Sequence, residues 1–191
     1  SRAIATGIIS GTGSNQLTGM LNTAPTAVDD GGSPARGAAQ FEYVASGESG
    51  SLNHHPLSSP PAYGDDRLLD LFFQLRVEYR SRATWIMNSQ TLAAVRKLKN
   101  SVGDSIWTPN IGAGVDQGVC VVESMPAIAA NAFAIGVGDL EQAFELVEIH
   151  GTEVTADNIS VPGKTTYWTR CRWGGIPLDN AAFKFLKLST T

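Results

Sequence analysis

The sequence predicts an α+β fold with two principal helices and mixed short sheets, and three observations carry that expectation. The last third of the chain, from Val119 onward, breaks into short apolar or alternating runs separated by turn residues, the pattern of strands. Leu68, Leu71, Phe72, Leu75 and Tyr79 recur at helical spacing in the middle of the chain. Between the first residues and that helix, Gly11 to Gly64 is rich in Gly, Ser, Pro, Asn and Thr, as loops are.

Taken in order, "SRAIATGIIS" reads as the last turns of a helix running into a glycine loop, so the expectation is a C-terminal fragment of a longer protein. Within the loop-like stretch, "ARGAAQFEYVAS" at Ala35 to Ser46 is expected to supply one short helix. Asp65 and Asp66 offer an N-cap and first-turn acid to the main helix, and Arg76, Arg80 and Arg82 complement its C-terminal dipole. "ATWIMN" follows as a short strand. Asn88 is placed to cap a second helix, "SQTLAAVRKLKN", with Leu92, Val95 and Leu98 inward, Lys97 and Lys99 near its end, and Gly103 as its stop. "SIWTPNIGAGVDQG" reads as an exposed loop. "VCVVES", "AFAIGV", "FELVEIHG" and two closing segments then give five strands.

A chain of 191 residues with 42% hydrophobic content can bury one core, or two lobes sharing one. Its net charge of −4 and pI near 5.3 argue against a sequence-specific nucleic-acid partner, whose affinity would need a basic face. No apolar run approaches the roughly eighteen residues of a membrane-spanning helix, so no membrane partner is expected. Cys120 and Cys171 lie inside apolar runs and read as two buried thiols.

The chemistry-bearing residues do not assemble into a reaction centre. "GTGSNQ" at Gly11 to Gln16 lacks both the strand-before, helix-after context of a dinucleotide fingerprint and the Lys-Ser/Thr pair of a phosphate loop, and reads as a turn. His54 and His55 are adjacent in a Pro/Ser-rich loop and His150 ends a strand, which leaves no third ligand for a metal. No Gly-x-Ser-x-Gly elbow appears, so no nucleophile is activated. Asp139 and Glu141 sit at a turn, where acids cap or meet solvent. Arg170, Arg172, Lys184 and Lys187 are scattered over the closing strands with no convergent acid. No catalytic residue, cofactor or metal is expected. Arg170 and Arg172 share one strand face, opposite Tyr167, Cys171 and Trp173, and suit either solvent or a neighbour's carboxylates. Trp85 and Trp173 read as core, and Trp107 as a contact residue.

The ordered segments resemble the major capsid proteins of tailed phages, of the Hong Kong 97 type. "IISGTGSNQLTGMLN" at Ile8 to Asn22 is similar to the end of that family's spine helix and its Gly-x-Gly turn. "DRLLDLFFQLRVEYRSRATWIMN" matches a helix, a Tyr-Arg pair and a strand ending in Met-Asn. "TLAAVRKLKNSVGDSIW" resembles the next helix and its Gly-x-x-Trp turn, and "VVESMPAIAANAFAIGVGDLEQAF" a strand, proline turn, strand and Gly-Asp corner. "RWGGIPLDNAAFKFLKL" resembles the closing pattern.

The resemblance implies a Hong Kong 97-type capsid fold with a peripheral lobe (1–20 and 139–174) and an axial lobe (21–138 and 175–191). It implies a head subunit of a phage or prophage virion, assembled in the host cytoplasm into pentamers and hexamers that enclose DNA, with portal, scaffold and maturation protease as partners. The family's N-terminal arm, extended loop and most of the spine helix would precede Ser1. Lys164 is followed by Thr165 and Thr166, which does not support the Lys-Asn cross-link of some members. The loop around Trp107, Asn110 and Asp116 is nominated for contacts near the symmetry axes, and Lys164, Arg170 and Arg172 for contacts between peripheral lobes. The alternatives are an encapsulin-like nanocompartment shell protein, which would share the fold, and a small-molecule-binding enzyme, favoured only by the "GTGSNQ" loop.

Overall fold

The computed structural model describes residues 2–52, 64–98 and 118–190. Among them, a five-stranded mixed sheet carries packed layers on both faces, and a two-stranded ribbon extends from it. The sheet order is β1 (Glu42–Ala45), β7 (Phe183–Lys187), β4 (Phe133–Gly138), β2 (Thr84–Met87), β3 (Val119–Val121). β7 runs parallel to β1 and antiparallel to β4, while β2 is antiparallel to β4 and parallel to β3.

The period-2 alternation of the strands divides the core in two. Trp85, Met87, Ile135, Val137, Leu186 and Leu188 meet Leu68, Leu71 and Phe72 of helix α2 (Gly64–Gln74), Leu75 just after it, and Val95 of α4 (Ser89–Arg96). On the opposite face, Ile86, Phe183 and Phe185 meet Phe41, Met125, Phe144 and, from α1 (Arg2–Ser10) and the loop after it, Ile9 and Met20. Phe41, Phe183 and Phe185 pack edge to face with centroids 5.1–6.1 Å apart.

Three expected features take a different form. Ala35 to Ser46 holds strand β1 rather than a helix: Tyr43 and Val44 are a β-branched and aromatic pair, and β7 supplies the ladder that outweighs local helix propensity. The main helix begins at Gly64, which puts Asp65 and Asp66 inside its first turn, and it breaks after Gln74 before the short α3 (Val77–Arg80). Arg76 at the break has extended geometry, φ −59° and ψ 143°. Arg80 folds back over the break, its guanidinium donating to the Leu75 carbonyl at 2.7 Å and to that of Phe73 while lying over the Phe73 ring. The second helix ends at Arg96 with Lys97 as its cap, Val95 buried and Leu92 and Leu98 half-buried; Lys99 and Gly103 lie outside the described residues. Its start agrees with the sequence reading, since Asn88 Oδ1 accepts from the Gln90 and Thr91 amides at 2.7 and 3.1 Å.

The "GTGSNQ" segment is a turn with a structural task. The amides of Gly19, Met20 and Leu21 donate to the carbonyls of Gly11, Ile8 and Ile9 at 2.8–2.9 Å, which supplies partners for the end of α1. A side chain at Gly19 would place its Cβ 2.4 Å from the Gly11 nitrogen. Because both parties are backbone, nothing can move aside cheaply.

Lys184, unplaced among acids in the sequence, converges with two. It is buried in β7 beside its register partner Glu42, pairs with that carboxylate, and reaches Asp30 at 3.3 Å. Burial pushes its pKa below the usual lysine value, and the bond to Glu42 opposes that shift. Arg36 pairs with the same two carboxylates, and Arg76 reaches Asp30 at 3.2 Å.

Two predictions follow from this packing. Gly19→Ala should lower stability by about 2–3 kcal/mol, measured by urea unfolding, because backbone must be displaced to seat the methyl group. Tyr79 donates to Asp179 at 2.6 Å, and that bond, more than desolvation, pushes its pKa up to about 12. The folded chain thus keeps a proton that the unfolded chain loses near pH 10. The contribution is complete below pH 10 and lost as pH rises towards 12. Wild type should exceed Tyr79→Phe by about 1 kcal/mol at pH 8, a margin that shrinks above pH 10 in urea titrations across pH.

Candidate inter-subunit surface

The ribbon is built from β5 (Phe144–Asp157) and β6 (Thr166–Pro177), antiparallel, with a register shift between Ile149 and Glu153. Its base is anchored to the molecule: Phe144 is buried, Gly175 approaches the Phe144 ring too closely for any side chain, and the Gly175 carbonyl accepts from the Thr18 amide at 3.1 Å. Among the described residues no third strand pairs with it. A lone two-stranded ribbon is marginal in water.

Cross-strand register sorts its side chains onto two faces. Arg172 opposes Ile149 and Arg170 opposes Glu153, so one face carries Glu145, Val147, Ile149, Glu153, Trp168, Arg170, Arg172 and Ile176. The other carries Leu146, Glu148, Val154, Tyr167, Cys171 and Trp173. The separation of the arginine pair from Tyr167, Cys171 and Trp173 agrees with the sequence reading. Tyr167 is 69% exposed, Trp168 62%, Val154 60% and Ile176 55%. Such a density of exposed aromatic and branched side chains marks a contact surface.

Charge on the ribbon is open as well. Arg170 and Arg172 line a shallow groove with Ile149, Gly151 and Glu153, and neither guanidinium forms an ion pair among the described residues. Lys164 is exposed in the connection between the strands, its amide donating to the Val161 carbonyl at 3.2 Å. That connection is set by Asp157, whose carboxylate accepts from the Ile159 and Ser160 amides at 2.9 and 3.1 Å and from the Ser160 hydroxyl. The Ser160 hydroxyl first, then the two amides, hold its carboxyl below the usual aspartate range. Lys164, Arg170 and Arg172 therefore share one projecting element. Trp107, Asn110 and Asp116 lie outside the described residues, as do His54 and His55.

Other sequence readings are settled differently. Cys120 and Cys171 are exposed, contrary to the expectation of buried thiols. Among the described residues, Cys120 lies on β3, an outer strand of the sheet, and Cys171 on a ribbon with no layer over it, so apolar neighbours in sequence do not bury them. Trp85 is core, but Trp173 is only half-buried, beside a groove that it lines with Cys171, Ala3, Ile4, Gly7 and Leu17. Asp139 caps the short helix α5 (Leu140–Ala143), accepting from the Glu141 amide at 3.0 Å, and Glu141 pairs with Arg82. Sequence reasoning missed Trp168, Ile176, Val147 and Val154 as surface residues; their alternation resembles that of a core strand, and only the absence of a second layer tells the two apart. Among the described residues no group of three His, Cys, Asp or Glu side chains could hold a metal ion, and no helix is long and apolar enough to cross a membrane.

Solved capsid structures share this fold. The chain is similar to the capsid of a native GTA particle computed with C5 symmetry, at TM-score 0.80 and 34% identity, over 98% of this chain and 67% of that one. It is similar to the capsid of an empty GTA particle computed with C5 symmetry, at TM-score 0.78 and 34% identity, over 98% of this chain and 62% of that one. No curated protein sequence gave a match. The fold is thus a capsid fold. The model of the phage capsid family matches residues 1–188, and the chain belongs to that family. It spans about two thirds of the length of these solved relatives.

The exposure of the two thiols is directly measurable. Both should react completely with a thiol reagent in the native, unassembled protein without denaturant, at rates within about tenfold of a free cysteine. A thiol that reacts only after unfolding would contradict this placement of β3 or β6.

Proposed function

We propose that the protein is the major structural subunit of a phage or prophage head, assembling through symmetric copies into pentamers and hexamers of a closed shell that encloses DNA, in the host cytoplasm. Family membership supports this reading, and the single observation that carries it within the chain is the β5–β6 ribbon, which exposes large apolar side chains on both faces, with Arg170 and Arg172 among those on one. In this reading the peripheral lobe comprises 1–20 and 139–174, and the axial lobe 21–138 and 175–191. The subunit performs no catalysis. Portal, scaffold and maturation protease are its family-type partners.

The mechanism is additive. Covering one half-exposed aliphatic or aromatic side chain contributes about 1 kcal/mol, so Trp168, Val147, Ile149 and Ile176 together favour one modest contact. Arg170, Arg172 and Lys164 then select a neighbour's carboxylates and fix register, because a bidentate guanidinium pairing is geometrically specific. Symmetry repeats each weak contact around the shell.

The full-length protein, fractionated by sedimentation and viewed by negative-stain electron microscopy, should give uniform hollow particles or five- and six-membered rings. A monomer at all salt and pH values would overturn the proposal. The Arg170→Glu/Arg172→Glu variant should lower particle yield at least about tenfold while leaving the unassembled subunit's melting temperature within about 2 °C, since the two side chains are exposed and form no ion pair among the described residues. Unchanged yield would remove these residues from the interface.

A further inference from the structure

We propose that residues 23–40 form a releasable guard over the β1 edge of the sheet, held shut by a charge latch centred on Asp30. The inference does not depend on the capsid reading. β1 is an outer strand of the five-stranded sheet, and an outer strand leaves a row of backbone donors and acceptors open. Here that row is covered from within the same chain. Thr26 forms a parallel bridge with Glu42, its amide donating to the Phe41 carbonyl at 2.9 Å and its carbonyl accepting from the Tyr43 amide at 2.8 Å.

What holds the guard in place is mostly charge. Of residues 22–40 only Pro25 is buried, and none belongs to either core cluster, although Leu21 and Phe41 on either side both do. Little hydrophobic free energy therefore opposes its lifting. Its anchors are polar. Asp30 receives Arg36 from the guard itself, Arg76 from the break between α2 and α3, and Lys184 from β7. Arg36 also reaches Glu42 on β1 at 2.7 Å. Two further bonds, Gln40 to the Ala24 carbonyl at 3.0 Å and Asn180 to that of Gly37 at 2.8 Å, close the ends.

Among the described residues, Asp30 is thus the guard carboxylate that pairs with cations on two separate elements, Arg76 and Lys184, as well as with Arg36 inside the guard. Removing its charge leaves Lys184 and Arg36 paired with Glu42, while the guard loses its bonds to Arg76 and Lys184 and keeps the Arg36–Glu42 pair as its remaining ionic tie to β1. The segment then opens as a local unit and uncovers the Phe41 carbonyl and Tyr43 amide at the β1 edge.

Native-state hydrogen exchange on the full-length protein tests this. In Asp30→Asn, exchange at the Thr26 and Tyr43 amides should accelerate about 10- to 100-fold, as expected for losing charge-assisted bonds, with β4 and β7 amides unchanged. Asp30→Glu should restore protection. Unchanged exchange at Thr26 and Tyr43, or equal acceleration in β4 and β7, would overturn the proposal. A second measurement needs no variant: in wild type at low urea, those two amides should exchange through an opening with a much smaller denaturant dependence than that of β4 and β7. Equal dependence would show that the guard opens only with the whole sheet and would overturn the proposal equally.

Discussion

Everything in this fold depends on where the last strand goes. β7 passes between β1 and β4 and closes the sheet from within, so residues 183–187 complete one ladder begun at Glu42–Ala45 and another begun at Phe133–Gly138. Its side chains serve both layers: Phe183 and Phe185 enter one core, Leu186 the other. Gly136 makes the insertion possible, because a Cβ there would lie 2.5 Å from the Phe183 ring. The buried Lys184 comes with the same strand, and a buried ammonium must be met by acids. The Asp30–Glu42–Arg36 cluster meets it. A single topological choice therefore dictates the aromatic packing, the charge cluster and the way residues 23–40 lie along β1.

The ribbon obeys a different rule. The sheet satisfies its strands within the chain, whereas β5 and β6 satisfy only each other and leave side chains such as Trp168 and Tyr167 in water. This division of labour, a closed core beside an unfinished element, is what a repeating shell requires: a subunit that folds by itself and is completed by contact with others. The close packing of Gly175 on the buried Phe144 ring anchors the base of the ribbon.

Much of the fold was legible in the sequence where a local rule and the tertiary outcome agree. Asn88 capped as its chemistry requires, the strands from Val119 onward all formed, and the arginine pair occupied the face that period-2 alternation assigns. Failures came where context overrode pattern. Glu42 to Ala45 became a strand because β7, distant in sequence, offered it a ladder. The main helix broke at Arg76 although its apolar spacing continues to Tyr79, with Arg80 supplying partners for the freed carbonyls. Cys171 and Trp173 read as core because a strand one layer thick has the same alternation as a strand between two layers. The surface formed by Arg170 and Arg172 was visible as residues, but its exposed apolar partners were not.

The central claim is that the ribbon is finished only by neighbouring subunits. Hydrogen exchange compared between unassembled subunits and purified particles of the full-length protein tests it most directly. The account predicts that amides of β5 and β6 beyond Phe144 become strongly protected on assembly, while those of β4 and β7 exchange equally slowly in both states. Ribbon amides that exchange alike in subunit and particle would contradict it.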